Sequence, residues 1–308
     1  NAACARIEEI EATFGELKLT VKLEVAQAYV EVLSAQRRLE VVRAEVEALE
    51  SHVRDVANMV RAQVAARNDL LASEVSLADA RQRVIQAENL LSTAKIRLNR
   101  LLGRPWDSEV VLAELPAPTL PDDLEACLQT AYSRRPILRQ FDAQSRALAY
   151  RAEAERAALR PQFDVTGGYT YVDNPYLDPN GLWSLGFKME WTPYDGGVRR
   201  ARAMGYCREA EALRRTREYV RREIEIEVRS RWLAVKEALA RFSVAQQALD
   251  RAQENLRIAV HRFSVGAGTN TEVLDAVRLL TETNHNYYAA VYDAALRRLR
   301  LDRAMGIL

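Results

Sequence analysis

An internal duplication limits how this chain can fold. A shift of 203 residues aligns two arms, residues 23–103 and 226–306, without a gap. The matching pairs are Val32 with Val235, Ala35 with Ala238, Leu71 with Leu274 and Gly103 with Gly306. Each unit of such a repeat buries its apolar face by packing against its copy. The 308 residues are therefore predicted to contain two homologous arms.

Apolar residues in the arms recur at alternating steps of three and four, the spacing of a coiled-coil seam. The first arm has two such runs: Val25, Ala28, Val32, Ala35, Leu39, Val42, Val46, Leu49, Val53, Val56 and Val60, then Leu70, Ser73, Leu77, Ala80, Val84, Ala87, Leu91, Ala94, Leu98 and Leu101. Each arm is predicted to be two long helices, the first from about Ile7 to Arg61. In the second arm Arg231 and Arg297 also occupy seam positions. Snorkelling, a water-filled bore and a slip in register remain open as explanations.

The two breaks in the seam predict tight reversals. Residues Gln63 to Asn68 interrupt the first arm, and Val265 to Asn270 interrupt the second. Because these connections are short, the flanking helices are expected to run antiparallel as hairpins. Two glycines, Gly266 and Gly268, give the second reversal the backbone freedom that it needs.

Residues 104–162 connect the two arms. Prolines 116, 118 and 121 mark an irregular link, since proline interrupts regular structure. A short helix is predicted from Asp122-Asp123 to Tyr132. A second helix is predicted from Pro136 to about Leu159.

The apolar period changes to two between Pro161 and Gly197, which predicts two β-strands with one apolar face and one polar face. The turn-rich segment Asp173 to Gly181 joins them as a hairpin. Strands of about ten residues with this alternation have the length of transmembrane barrel strands; an amphipathic hairpin on a soluble core is the alternative. The predicted membrane-facing residues are Phe163, Val165, Tyr169, Tyr171, Trp183, Leu185, Phe187, Met189 and Trp191.

Composition argues against several classes of function. The net charge is +1, so no strong electrostatic field attracts nucleic acid. The histidines, His52, His261 and His285, are isolated on charged helical stretches and are expected to face solvent rather than bind metal. The sequence has no nucleophile elbow, phosphate loop or metalloprotease motif on a suitable element, so we expect neither an enzyme nor a cofactor.

Several motifs occur in an order that resembles the outer membrane efflux protein (TolC) family. They are Arg135-Pro136-Ile137-Leu138, Leu159-Arg160-Pro161-Gln162-Phe163, Trp191-Thr192-Pro193-Tyr194-Asp195-Gly196-Gly197, Arg262-Phe263-Ser264-Val265-Gly266, Glu272-Val273-Leu274-Asp275-Ala276 and Leu301-Asp302-Arg303-Ala304-Met305-Gly306. The resemblance implies a mainly α fold, with two long antiparallel coiled-coil hairpins and a β-hairpin that contributes to a transmembrane barrel.

The resemblance also implies a function and partners. It implies a homotrimer in the outer membrane of a Gram-negative bacterium, in contact with outer-membrane lipid and with its helices in the periplasm. Such a channel is a passive exit duct of a tripartite efflux or type I secretion system. A periplasmic adaptor and an inner-membrane pump are the implied partners. A periplasmic adaptor and a soluble coiled-coil scaffold remain alternative identities for this chain.

We expect four segments along the sequence. They are a first helical hairpin (1–103), a connecting segment with short helices (104–160), the β-hairpin (161–197) and a second helical hairpin (198–308). Shifting the strand pair back by 203 residues places its counterpart before residue 1, so we expect a chain trimmed at its N-terminus. The same shift pairs Cys4 with Cys207 inside a helix, so we do not expect Cys4 to be acylated.

The residues beside the reversals are candidates for function by resemblance. Acidic residues there resemble the periplasmic entrance of the family, with arginines as ion-pair partners; the alternative is ordinary capping at a helix start. The gate and selectivity candidates are Asp69, Glu272, Asp275, Arg67 and Arg278. The candidates for docking an adaptor are Val265, Gly266, Ala267, Gln63 and Val64.

Overall fold

A computed structural model describes residues 2–116, 119–121, 123–173, 176 and 181–308. The described residues form six helices and two strands: α1 Ala2–Arg61, α2 Arg67–Leu101, α3 Leu124–Arg134, α4 Pro136–Ala157, β1 Gln162–Tyr171, β2 Gly181–Glu190, α5 Val198–Ser264 and α6 Asn270–Met305. The predicted fold class, mainly α with one β-hairpin, is confirmed. Predictions at Pro118, at Asp122 and at turn residues 174–175 and 177–180 lie outside the described residues.

Backbone contacts divide the chain into two compact units, each assembled from separate parts of the sequence. The first unit contains Asn1–Glu16 and Pro136–Glu223, and so holds α4, both strands and the beginning of α1 and of α5. The second unit contains Leu17–Arg135 and Ile224–Leu308, and so holds α2, α3, α6 and the remainder of α1 and α5.

The predicted seams form the core of the second unit. Every member of the first run, on α1, is buried or half-buried, and in the second run, on α2, only Leu101 is exposed. One cluster draws from all four long helices: Leu49, Leu77, Ala80, Ala259, Val273, Ala276 and Val277. Alternating small and large side chains let the helices approach closely and interdigitate.

The duplication is visible at atomic detail in the two reversals. The amides of Gln63 and Val64 donate to Val60 and Met59 carbonyls, and the amides of Gly266 and Ala267 donate to the equivalent residues, Phe263 and Arg262. This is the hydrogen-bond pattern of a helix end whose last residue adopts a left-handed conformation. Gln63 has φ 60° and Gly266 has φ 73°. The first break is shorter than predicted, because α2 already begins at Arg67 and so includes Asn68.

The two strands pair antiparallel in one register, with Phe163 opposite Met189, Val165 opposite Phe187 and Tyr169 opposite Trp183. Apolar residues therefore face one side, and the pairs on the other side include Asp164 with Lys188. This alternation confirms the predicted amphipathic hairpin. Trp191 is a correction, since β2 ends at Glu190 and the Trp191 indole Nε1 donates to the carbonyl of Leu159 at 3.2 Å.

The two seam arginines have different environments. Arg231 is exposed. The Arg297 guanidinium lies 2.9 Å from the Asp293 carboxylate and 2.8 Å from the Glu237 carboxylate. Arg297 therefore connects α6 to α5 through its ion pair with Glu237. Because this pairing accounts for an arginine at a seam position, no slip in register is needed to explain it.

Replacing Gly266, which has a left-handed backbone conformation, tests how much that conformation contributes to the second reversal. Gly266→Ala is expected to lower the free energy of unfolding by about 1 kcal/mol, because a side chain disfavours the left-handed conformation. A Cβ at Gly266 would meet nothing within 4 Å, so the cost comes from the backbone rather than from a clash. Denaturant unfolding followed by circular dichroism measures it. Gln63→Ala is the matched control, and a loss as large there would contradict the argument.

Candidate functional site

We call the two reversals the tips, and the predicted gate residues lie on the two helices that begin there, α2 and α6. Arg67 and Asp69 lie in the first turn of α2. Glu272 lies in the first turn of α6, with Asp275 and Arg278 in the turns that follow. Asp69 and Glu272 are therefore near the positive ends of helix dipoles, as the capping alternative requires.

The partner of Glu272 differs from the one predicted. Its carboxylate lies 3.3 Å from the Arg262 guanidinium at the end of α5. Arg262 also donates to the Ala267 carbonyl at 3.0 Å. The Glu272 amide donates to the hydroxyl of Thr269, the N-cap of α6, at 3.2 Å. Glu272 thus pairs with an arginine of its own tip, and both side chains are more than 40% exposed.

The predicted arginines behave differently from each other. Arg278 lies 3.6 Å from Asp275 and 3.9 Å from Glu282, and all three side chains are more than 60% exposed. Exposed pairs of this kind contribute little to stability, because water and salt screen them. Arg67 makes no ion pair within the described part of the chain, and its pairing with the tip acids stays a prediction.

A cluster of polar residues lies beneath the tips, and the sequence pattern did not predict it. We call it the tip cluster: His52, Asp69, Ser73 and Asn270. The Asn270 side-chain oxygen lies 2.6 Å from His52 Nε2 and accepts from the Ser73 hydroxyl at 3.1 Å, while its amide nitrogen donates to the Asp69 carbonyl at 3.0 Å. His52, Ser73 and Asn270 are each no more than 6% exposed.

The tip cluster joins the two hairpins across their buried interface. It links α1, α2 and α6 through Asn270, and the ring of Phe263 on α5 lies 5.1 Å from the His52 ring. Buried polar groups are costly when unpaired, so such a network favours one relative placement of its members. The expectation that His52 faces solvent was therefore wrong. The sequence did contain one indication of a buried polar contact, because Ser73 is a polar residue on an otherwise apolar seam.

A groove of about 450 Å³ lies beside the tip cluster between α1, α2 and α6. Glu45 and Arg83 pair in it at 2.8 Å, and the Glu45 side chain is only 4% exposed. His285 also lines the groove. Burial lowers the pKa of the His285 imidazole below its ordinary value, and the nearby positive charges of Arg38 and Arg83 lower it further.

The predicted docking residues lie on the outside of the tips. Val64 is 76% exposed and Val265 is 62% exposed. Gln63, Gly266 and Ala267 are exposed as well. The tips therefore present two exposed valines on tight turns, a surface that a protein partner can contact.

The apolar face of the β-hairpin is open. Its large side chains range from 53% exposed at Tyr169 to 81% exposed at Trp183. A contiguous apolar surface of this kind marks a site of contact with protein or lipid. Within the described part of the chain, none of the helices α1 to α6 contains the long apolar stretch that a membrane-spanning helix requires. The described residues also contain no group of three or more potential metal ligands.

Comparisons with known proteins agree with this architecture. The sequence profile described as outer membrane efflux protein matches residues 127–307. The outer membrane protein TolC of Vibrio cholerae is 25% identical over 100% of this chain and 72% of the relative. The chain spans 62 to 72% of the length of the curated relatives that it matches.

Solved structures share the fold over almost the whole chain. The outer-membrane channel OprN has a TM-score of 0.79 at 22% identity, with 99% of this chain and 70% of that chain covered. The open state of the MtrE outer membrane channel of Neisseria gonorrhoeae has a TM-score of 0.79 at 19% identity, with 99% and 71% covered. These identities are low, so the likeness concerns the fold.

Removing the central residue of the tip cluster is expected to destabilise the protein. Asn270→Ala removes the hydrogen-bond partner of the buried His52 ring, which costs about 1–3 kcal/mol. The Ser73 hydroxyl and the Asp69 carbonyl keep their own hydrogen bond at 2.8 Å. Asn255→Ala, at an exposed position of α5, is the matched control. Chemical denaturation of both variants measures the difference. Equal stabilities would show that the cluster does not hold the tips.

The lowered pKa of His285 predicts acid sensitivity. The unfolded chain binds the proton more readily than the folded chain, so stability is lost as pH falls below the ordinary histidine value of 6.5. The free energy of unfolding, measured from pH 7.5 to pH 5, is expected to decline less in His285→Gln than in the parent protein. His261→Gln, at an exposed site, serves as control and is expected to keep the full decline.

Proposed function

The chain belongs to the outer membrane efflux protein family, and from this membership we propose that it acts as the outer-membrane exit duct of a tripartite efflux or type I secretion system. One observation carries the proposal: an amphipathic β-hairpin with an open apolar face lies in the same chain as two duplicated helical hairpins. The hairpin supplies strands to a barrel in the outer membrane. The helices extend the duct into the periplasm.

The proposed assembly is a homotrimer. A two-stranded sheet is not stable alone and needs further strands beside it. Closure of a barrel satisfies the edge hydrogen bonds that lipid cannot satisfy. Strands from other copies, and from further chain of the kind that the longer relatives possess, would complete it. Outer-membrane lipid would then cover the apolar side chains from Phe163 to Met189.

The tips are the proposed periplasmic entrance. Around a threefold axis, Asp69, Glu272 and Asp275 would each become a ring of three carboxylates, which favours cations. The buried tip cluster would hold the entrance in one arrangement. The exposed tip valines would contact a periplasmic adaptor, and an inner-membrane pump would supply the energy.

The alternatives are less well supported. A periplasmic adaptor or a soluble coiled-coil scaffold would not need a β-hairpin with one open apolar face. The likeness to outer-membrane channels also extends over 99% of this chain, which favours the duct. The acidic rings act by charge alone and require no catalysis.

Ion selectivity tests the entrance. The full chain is reconstituted in planar lipid bilayers, and the reversal potential is measured in a salt gradient. Neutralising the acids by Asp69→Asn, Glu272→Gln and Asp275→Asn together is expected to reduce the preference for cations several-fold, because the rings lose their negative charge. Glu125→Gln, exposed on α3, is the control. Unchanged selectivity would reject the gate residues, and an absence of any conductance in the parent protein would count against the duct.

A further inference from the structure

Five arginines flank the β-hairpin in the sequence. Arg156 and Arg160 precede β1, and Arg199, Arg200 and Arg202 follow β2. We call these five residues the arginine belt. They lie in the first structural unit, beside the open end of the hairpin where Gln162 pairs with Glu190.

Three members of the arginine belt carry uncompensated charge. Arg160, Arg200 and Arg202 are exposed and make no ion pair among the residues that the structure describes. The other two are held locally. Arg156 lies 3.4 Å from the thiol of Cys207, and Arg199 donates to the Ala158 carbonyl at 3.0 Å.

The nearest acid after β2 is already engaged. Asp195 accepts from the amides of Gly197 and Arg199 at 3.0 and 2.9 Å. These bonds, first of all the one from the Arg199 amide, lower the pKa of the Asp195 carboxyl below its ordinary value. Asp195 therefore caps the start of α5 rather than neutralising Arg200 or Arg202.

Three members of the arginine belt, Arg199, Arg200 and Arg202, lie near the start of α5. The first turn of α5 contains no acidic residue, and the N-terminus of a helix carries a partial positive charge that favours anions. Asp195 supplies one negative charge at this helix start, and three arginines follow it. The excess of positive charge there points to an anionic partner.

Two exposed aromatic residues lie next to the arginine belt in the sequence. Trp191 is 52% exposed and Tyr194 is 82% exposed, and both lie between β2 and α5. Tryptophan and tyrosine concentrate where a membrane meets water. The apolar face of the hairpin ends where these aromatics and the arginine belt begin.

We propose that the arginine belt binds the phosphate groups of anionic phospholipids in the leaflet at the base of the hairpin. This inference rests on the proposed insertion of the hairpin into a membrane. Guanidinium groups match phosphate geometry with paired hydrogen bonds. Basic residues close to a membrane surface are attracted to anionic lipid, and the attraction decays with salt.

Vesicle binding tests the proposal. The full chain, released from detergent, is mixed with vesicles of phosphatidylcholine alone or with added phosphatidylglycerol, and bound protein is measured by flotation. The parent protein is expected to prefer the anionic vesicles at least about tenfold at low salt. Arg160→Gln, Arg200→Gln and Arg202→Gln combined are expected to abolish the preference. Arg54→Gln, Arg104→Gln and Arg251→Gln combined, also exposed arginines, form the matched control and are expected to keep it.

The outcomes separate this inference from the proposed function. If the parent protein binds both kinds of vesicle equally, or if the belt variant keeps the preference, the proposed role of the arginine belt is wrong. Neither result contradicts membrane insertion. Binding to neither vesicle overturns insertion and the belt together. Loss of the preference in the control variant would show that charge anywhere on the chain is sufficient, which also overturns the belt.

Discussion

The packing of small and large apolar side chains along the helical seams is the interaction on which the other features depend. Leu49, Ala80 and Val273 lie in one buried cluster that draws from all four long helices. Because this burial removes apolar surface from water along an extended interface, it supplies the main stabilisation. The tips are held together only because the seams beneath them bring both hairpins to the same place.

Polar contacts then select one arrangement among those that the seams allow. Apolar packing tolerates some sliding, whereas the bonds of Asn270 to His52 and to the Asp69 carbonyl require one placement of the hairpins. The many exposed ion pairs have a lesser role, since solvent screens them. A few buried polar atoms near the tips therefore contribute more to specificity than the numerous arginines on the surface.

The β-hairpin presents the opposite situation from the helices. Its strands satisfy each other's hydrogen bonds along one edge only, and side chains such as Trp183 and Phe187 are more than 75% exposed. Such a surface is stable in water only when something apolar covers it. Family membership, the open apolar face and the adjoining arginines all agree with lipid on that face and phosphate at its base.

The helices, strands and reversals follow from the sequence, because their periods are local. The 203-residue duplication, the seam on α1 and α2, the two reversals and the alternating apolar positions of the strands could all be read without coordinates. Which residues contact one another, including the register of the two strands, follows from the tertiary structure alone. His52 is buried against Asn270, which lies 218 residues away along the chain. Glu272 pairs with Arg262 across the turn of the second tip. A periodic pattern records which face of a helix is buried, but it does not record which polar atoms meet there.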